Sequence, residues 1–251
     1  AADFNIDLRV LDPDATAPCS KLTSYFTQGS LQDYDTVLAF GSNLDVLTIE
    51  IEKVNTAALK VLQEKGVKVF PQPEIVNMIQ DKRLQKQYYK DHGFPTSEFV
   101  LIDEPKEIEQ HKVFLPAFQK SAKDGYDGRG VQKIENLDDI AKALPGEGLL
   151  EKAVNIKKEI SVIVSRNESG ETSTFPAVEL VYHEGQNLVD YLIAPADIPL
   201  DIELKAKELA LRLVNELDFV GLLAVEMFVN QENEVLINEI APRPHNCGHQ
   251  T

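Results

Sequence analysis

Apolar positions along the chain change their period twice, and these changes divide it into three stretches. In the first, IDLRVLD (6–12) reads as a buried strand, followed by a Pro/Ala/Thr loop through Pro18. TVLAF (36–40) and DVLTIE (45–50) are short apolar runs separated by Gly41, Ser42 and Asn43. Val54, Ala57, Ala58, Val61 and Leu62 recur at helical spacing over 53–65, and Gly66 stops that helix. VKVF (67–70) is a further strand, closed by Pro71 and Pro73. Strands alternating with helix predict a parallel, Rossmann-like sheet over residues 1–80.

Residues 81–92, DKRLQKQYYKDH, predict a basic helix ended by Gly93 and Pro95. After it FVLI (99–102), VFLPAFQKSA (113–122), VQKIE (131–135) and GLLEKAV (148–154) read as strands, interrupted by helices near 104–112 and 136–144. Together they make a small α+β unit over 81–155. The third stretch, 156–251, holds strands EISVIVSR (159–166), STFPAVELVYH (173–183), GLLAVEMFVN (221–230) and EVLINEIA (234–241), with a helix over 199–217. Consecutive strands predict an antiparallel sheet with the helix on one face. The fold class is therefore α/β followed by α+β.

Composition adds exclusions. With 251 residues, 41 Asp+Glu and 25 Lys+Arg, the formal net charge is −16. Backbone neutralisation needs clustered Lys and Arg, so the chain is not a general nucleic-acid binder. A local basic pocket in an acidic protein still admits an anionic substrate. No apolar run approaches the roughly 20 residues of a membrane span, and AADFNIDLRV lacks a basic n-region and an apolar h-region. Cys19 and Cys247 match no metal-ligand spacing and make no disulfide framework, which suits a reducing cytoplasm.

Three segments could carry chemistry. KDGYDGRG (123–130) places three glycines within six residues, between strands. It suits a mobile phosphate-covering loop, with Lys123 and Arg129 supplying charge, and equally a hairpin turn. Glu226 and Glu239 lie on two strands joined by QENE (231–234), and a hairpin can set both on one face. Like charges there repel unless a cation lies between them, and hard oxygen ligands suit Mg²⁺ bound with nucleotide phosphates. Two solvated acids on an exposed face are the other reading. Strict alternation puts Asn238 on the face opposite Glu239. APRPHNCGHQT (241–251) clusters Arg243, His245, Asn246 and His249 after an acid-bearing strand, as a binding loop or as a polar tail. No base–orienter arrangement accompanies Cys247, so it reads as a small packing residue. Lys82 and Lys120 stand at a helix start and a strand end, where a buried Lys needs an anion and an exposed one does not.

In this order DVLTIEIEKV (45–54), GYDGRG (125–130), EKAVNIKKEISVIVSR (151–166) and NEIAPRPHNCGHQT (238–251) resemble the ATP-grasp family, in its branch that carboxylates aminoimidazole ribonucleotide in purine biosynthesis. The formate-using glycinamide ribonucleotide transformylase looks similar around NE-x-x-PRPH but differs in the glycine loop and after the histidine. The resemblance implies an ATP-grasp fold with a Rossmann-like domain over 1–80, a small lid subdomain over 81–155 and a large subdomain over 156–251. It also implies incomplete ends, lacking an opening strand with its Gly-rich loop and a basic C-terminal domain.

The implied reaction uses ATP and Mg²⁺ to activate bicarbonate as carboxyphosphate. The carboxyl group then passes to the amine of aminoimidazole ribonucleotide, releasing ADP and phosphate. Lys82 and Lys120 would contact ATP phosphates. Gly125, Tyr126, Gly128 and Gly130 would belong to the lid, and Glu151, Lys152, Ala153, Val154 and Glu159 would frame adenine and ribose. His183 would lie near the nucleotide, and Glu226 and Glu239 would hold Mg²⁺ beside Asn238. Asp127 would handle the amine proton and Arg129 support carboxyphosphate. Glu52, Tyr126, Asp127, Arg243, His245 and Asn246 would face the ribonucleotide and bicarbonate. A cytoplasmic homodimer is implied as well. Lys82 stands where an Arg is common, Asp124 where a Gly is common, and Cys247 where a Ser is usual. Another ATP-grasp carboxylate–amine ligase and a non-catalytic nucleotide-binding protein are the other readings.

Overall fold

The computed structural model describes residues 4–123, 125, 130–183 and 189–249. The chain divides into two compact units, residues 1–76 and 77–251.

The first unit contains two parallel strand pairs. β1 (Val10–Asp12) pairs with β2 (Phe26–Gln28), and β3 (Val46–Leu47) pairs with β4 (Lys68–Val69). Strand structure begins at Val10, four residues later than the sequence predicts, because only Val10, Leu11 and Asp12 find partners on β2. Ile6 and Leu8 are exposed. The run 36–40 is the body of helix α1 (Tyr34–Gly41), not a strand. Asp33 caps it, accepting a hydrogen bond from the Thr36 N–H at 2.8 Å. α2 (Thr56–Glu64) starts at its Asn55 cap, and Gly66, at φ +97°, follows its end. The sequence reading omits α3 (Pro73–Ile79), where Pro73 occupies the first turn that tolerates it. Val37, Leu47, Ala58, Leu59, Leu62 and Val69 form the core. Gly41 lets α1 and α2 approach: a Cβ there would lie 2.2 Å from Leu62 Cδ1.

The second unit opens with α4 (Lys82–Asp91), capped by Asp81. A four-stranded antiparallel sheet follows, in the order β5-β8-β6-β7, from β5 (Phe99–Ile102), β6 (Ala117–Ser121), β7 (Val131–Ile134) and β8 (Gly148–Lys152). β6 starts later than the expected 113–122, since Pro116 has no N–H to offer a ladder. The two connecting helices are 3-10 segments, Pro105–Phe114 and Leu137–Lys142. A larger sheet has the order β12-β11-β9-β13-β14, from β9 (Ile156–Arg166), β10 (Thr172–Thr174), β11 (Val178–Tyr182), β12 (Val189–Ile193), β13 (Gly221–Asn230) and β14 (Val235–Ala241), with β10 paired to the end of β9. The expected strand 173–183 is two strands, parted around Pro176, and β12 is an addition. α5 (Leu200–Glu216) buries Ile202, Ala206, Leu209, Ala210, Leu213 and Val214 and packs on β9, β13 and β14. No described helix is long and apolar enough to cross a membrane.

Candidate active site

Three hydrogen bonds within the second unit, two of them between backbone groups, bring α4, the small sheet and β14 together. The Lys82 N–H donates to Ala122 O at 2.8 Å, fixing the start of α4 to the end of β6. The Ile237 N–H donates to Pro95 O at 2.7 Å, and the Thr96 hydroxyl donates to Ile237 O at 2.7 Å. The segment leaving α4 therefore runs beside β14. Side chains from α4, β6, β8, β13 and β14 converge as a result.

Lys82 pairs with Glu239. Lys120, at the end of β6, donates to Asn238 Oδ1 at 2.9 Å and lies 2.7 Å from Glu151 Oε2. Lys86 lies 2.6 Å from Glu151 Oε1 and donates to the Thr96 hydroxyl at 2.6 Å. Glu151 is thus clasped by two lysines, and all three residues are buried. Glu226 sits opposite Glu239 in the β13–β14 ladder, as the hairpin predicts. His245 Nε2 is 3.3 Å from Glu226 Oε1.

The ladder departs from even alternation at one point. Glu226 pairs with Glu239 but Met227 pairs with Ile237, so Asn238 is an extra residue on β14. Such a bulge bends the strand and re-aims side chains. This corrects the alternating assignment: Asn238 and Glu239 both meet lysines of the same cluster, Lys120 and Lys82.

The electrostatics follow from burial and pairing. Burial, with the neighbouring Glu239, pushes Glu226 well above the ordinary carboxylate range. Lys82 holds Glu239 well below it. Burial opposes ionisation of Glu151, but Lys120 and Lys86 outweigh it and lower its pKa. Burial drops Lys86 to about 8 despite Glu151 beside it. Burial raises Glu159 on β9, although a hydrogen bond with Tyr182 opposes the rise. The Cys247 thiol is pushed up to about 11 by burial, which suits the packing role and leaves it a poor nucleophile.

The other expected residues fall in three places. Tyr126, Asp127, Gly128 and Arg129 lie outside the described residues, as does Asp124. Gly125 and Gly130 form the foot of that loop: a Cβ on Gly130 would lie 3.0 Å from the Gly125 Cα, and Gly130 O accepts from the Ser121 N–H at 2.9 Å. Antiparallel β6 and β7 flank the loop, so it does join a hairpin. Lys152 is exposed and lies 3.2 Å from Glu98, while the Ala153 N–H donates to Pro116 O at 3.0 Å and Val154 is half-buried. His183, at the end of β11, is 3.3 Å from Asp190 rather than in the lysine–glutamate cluster. Arg243 donates to Pro244 O at 3.0 Å, and exposed Asn246 opens the short 3-10 turn Asn246–Gly248. Glu52 belongs to the first unit, half-buried between β3 and α2. The sequence reading passes over Lys86 and Thr96. Lys86 was open to discovery, since it follows Lys82 by four residues and so shares its helix face.

Two lysine-bearing elements closing on an acid-bearing hairpin make a site suited to a polyanion held with a cation. The sequence model of the ATP-grasp domain matches residues 87–251, and that of the ribonucleotide synthetase pre-ATP-grasp domain matches residues 1–80. The chain belongs to the ATP-grasp family. It is similar to N5-carboxyaminoimidazole ribonucleotide synthase of Bacillus subtilis, 34% identical over all of this chain and 67% of that protein. The N5-carboxyaminoimidazole ribonucleotide synthetase structure from Thermotoga maritima is 35% identical, with a TM-score of 0.90, covering 100% of this chain and 66% of that one. The synthase from Aspergillus clavatus, solved in complex with ADP and aminoimidazole ribonucleotide, is 31% identical with a TM-score of 0.88, covering 99% and 66%. The chain thus spans about two thirds of the length of these relatives.

Proposed function

We propose that this chain forms the ATP-binding part of an ATP-dependent ligase that carboxylates aminoimidazole ribonucleotide. Bicarbonate, ATP and the ribonucleotide are the substrates; N5-carboxyaminoimidazole ribonucleotide, ADP and phosphate are the products. The observation that carries the reading is the convergence of Lys82, Lys120, Asn238, Glu226 and Glu239 within one unit. The similarity to synthetases of this kind supports the same substrates.

Residues 1–80 act as the Rossmann-like domain, 81–155 as the lid and 156–251 as the large subdomain. Lys82 and Lys120 supply positive charge to the phosphates of ATP. The facing carboxylates of Glu226 and Glu239 are hard oxygen donors of the kind that fit Mg²⁺. Glu226 and Glu239 would hold that ion, which neutralises phosphate charge when bound. Lys86 acts through Glu151, fixing the carboxylate that orients Lys120.

Carboxyl transfer needs a nucleophilic amine, a leaving phosphate and exclusion of water. The Gly125–Gly130 loop covers the reacting groups. Asp127 accepts the amine proton, and Arg129 with His245 balances charge on the bicarbonate-derived group. Tyr126, Glu52, Arg243 and Asn246 position the ribonucleotide and bicarbonate. Gly128, Lys152, Ala153, Val154, Glu159 and His183 surround the nucleotide. The free cysteines Cys19 and Cys247 suit a cytoplasmic setting, and a homodimer is the proposed assembly.

The test uses the intact protein with ATP, Mg²⁺, bicarbonate and aminoimidazole ribonucleotide. ADP release that requires both the ribonucleotide and bicarbonate supports the assignment. Release stimulated by formate and glycinamide ribonucleotide instead, or no substrate-stimulated release, sinks it.

A further inference from the structure

Beside the acid pair stands a second set of donors of different chemistry. The short turn Asn246–Gly248 lays Cys247 against β9. The thiol packs into an apolar cluster with Ile163, Val178, Leu180, Ala224 and Ala241. Ligand atoms of Cys247, His245 and Glu226 all lie within 4.8 Å of one another. Cys247 is only 1% exposed, whereas the side chains of His245 and Glu226 are 14% and 15% exposed. The edge formed by His245 and Glu226 is therefore the partly exposed one.

We propose that Glu226, His245 and Cys247 form a site for a thiophilic divalent cation, Zn²⁺, distinct in chemistry from an all-oxygen magnesium site. Sulfur, imidazole nitrogen and carboxylate oxygen are the donor types that Zn²⁺ takes, with bonds of about 2.0–2.3 Å. A tetrahedral ion of that size sets its ligands roughly 3.5 Å apart, so a small side-chain contraction closes the triangle and leaves a fourth position for water. On binding, the cysteine S–H bond breaks, a sulfur–zinc bond forms and the proton passes to solvent. No electron is transferred. Magnesium disfavours sulfur, so Cys247 separates the two ions. Sharing Glu226 makes them mutually exclusive. That exclusion rests on the magnesium role proposed above; the zinc site itself does not.

The probe is Co²⁺, which reports a thiolate ligand by a sulfur-to-metal charge-transfer band in the near ultraviolet. The intact protein should bind one equivalent with that band, and Zn²⁺ should abolish it by displacement. Cys19→Ser should keep the band and Cys247→Ser should lose it, with the fold checked by circular dichroism. Glu226→Gln should weaken Co²⁺ binding by more than the ~10–100-fold that loss of an outer-shell partner costs. Excess Mg²⁺ should weaken Co²⁺ binding in the parent protein but not in Glu226→Gln. Absence of the band in a folded parent, or its persistence in Cys247→Ser, overturns the site. A band that persists unweakened in excess Mg²⁺ overturns only the sharing of Glu226.

Discussion

Glu226 and Glu239 face each other across the β13–β14 ladder at the place where its register slips. Their surroundings push them in opposite directions: burial and Glu239 favour the protonated form of Glu226, and Lys82 favours the ionised form of Glu239. Replacing Glu239 by Gln should cut turnover of the intact enzyme by about 10²–10³-fold, comparable to losing one strong transition-state contact. Steady-state ADP release measures it. Turnover within a factor of two of the parent would remove Glu239 from the metal-binding role.

Glu151 should matter more to folding than to ligand contact. Both of its oxygens meet buried lysines. Glu151→Gln leaves Lys86 and Lys120 without their counter-charge, which should cost about 3–5 kcal/mol of stability. Urea unfolding followed by circular dichroism reads this directly. Adding Lys86→Met to Glu151→Gln should recover part of the loss, because one of the two stranded charges is then gone.

Lys86 also predicts a pH dependence. Its folded-state pKa lies near 8, below the 10.5 of an ordinary lysine. Between those values the unfolded chain binds the extra proton, so this residue makes stability rise with pH. Its unfavourable contribution is fully present below about pH 8 and gone above the ordinary lysine value. The slope approaches ~1.4 kcal/mol per pH unit. Lys86→Met should flatten stability across this window relative to the parent. Parallel curves from pH 8 to 10 would refute the assignment.

Among the glycines of the first unit, Gly41 has the least room for a side chain. Gly41→Ala places a methyl against Leu62 and should lower stability by about 1–3 kcal/mol. Thermal unfolding should show a lower midpoint. Adding Leu62→Ala should relieve the clash, making the pair of substitutions less costly than the sum of the two alone.

Much of this architecture was legible in the sequence because its signals are periodic. Val54 to Leu62 and the α5 stripe announce helices, and the QENE connection brings Glu226 opposite Glu239. TVLAF is ambiguous because four apolar residues in a row fit a strand or a buried helix, and the deciding feature is the Asp33 cap outside the run. The β14 bulge has no marker, since neither Gly nor Pro accompanies Asn238. The Lys86–Glu151–Lys120 clasp is hidden for another reason. Its three members lie on α4, β8 and β6, and only tertiary packing decides which charges are buried together.

The extra residue at Asn238 gives β14 a property that even strands lack. A regular strand offers a neighbouring site every second side chain; here two successive side chains, an amide and a carboxylate, serve the same group of lysines. Length then matters as much as identity. Removing Asn238 would keep Glu239 in the chain and the hairpin in the sheet, yet restore unbroken alternation and shift every residue on one side of the deletion by one place. The strand could survive while its amide and carboxylate no longer met Lys120 and Lys82 together.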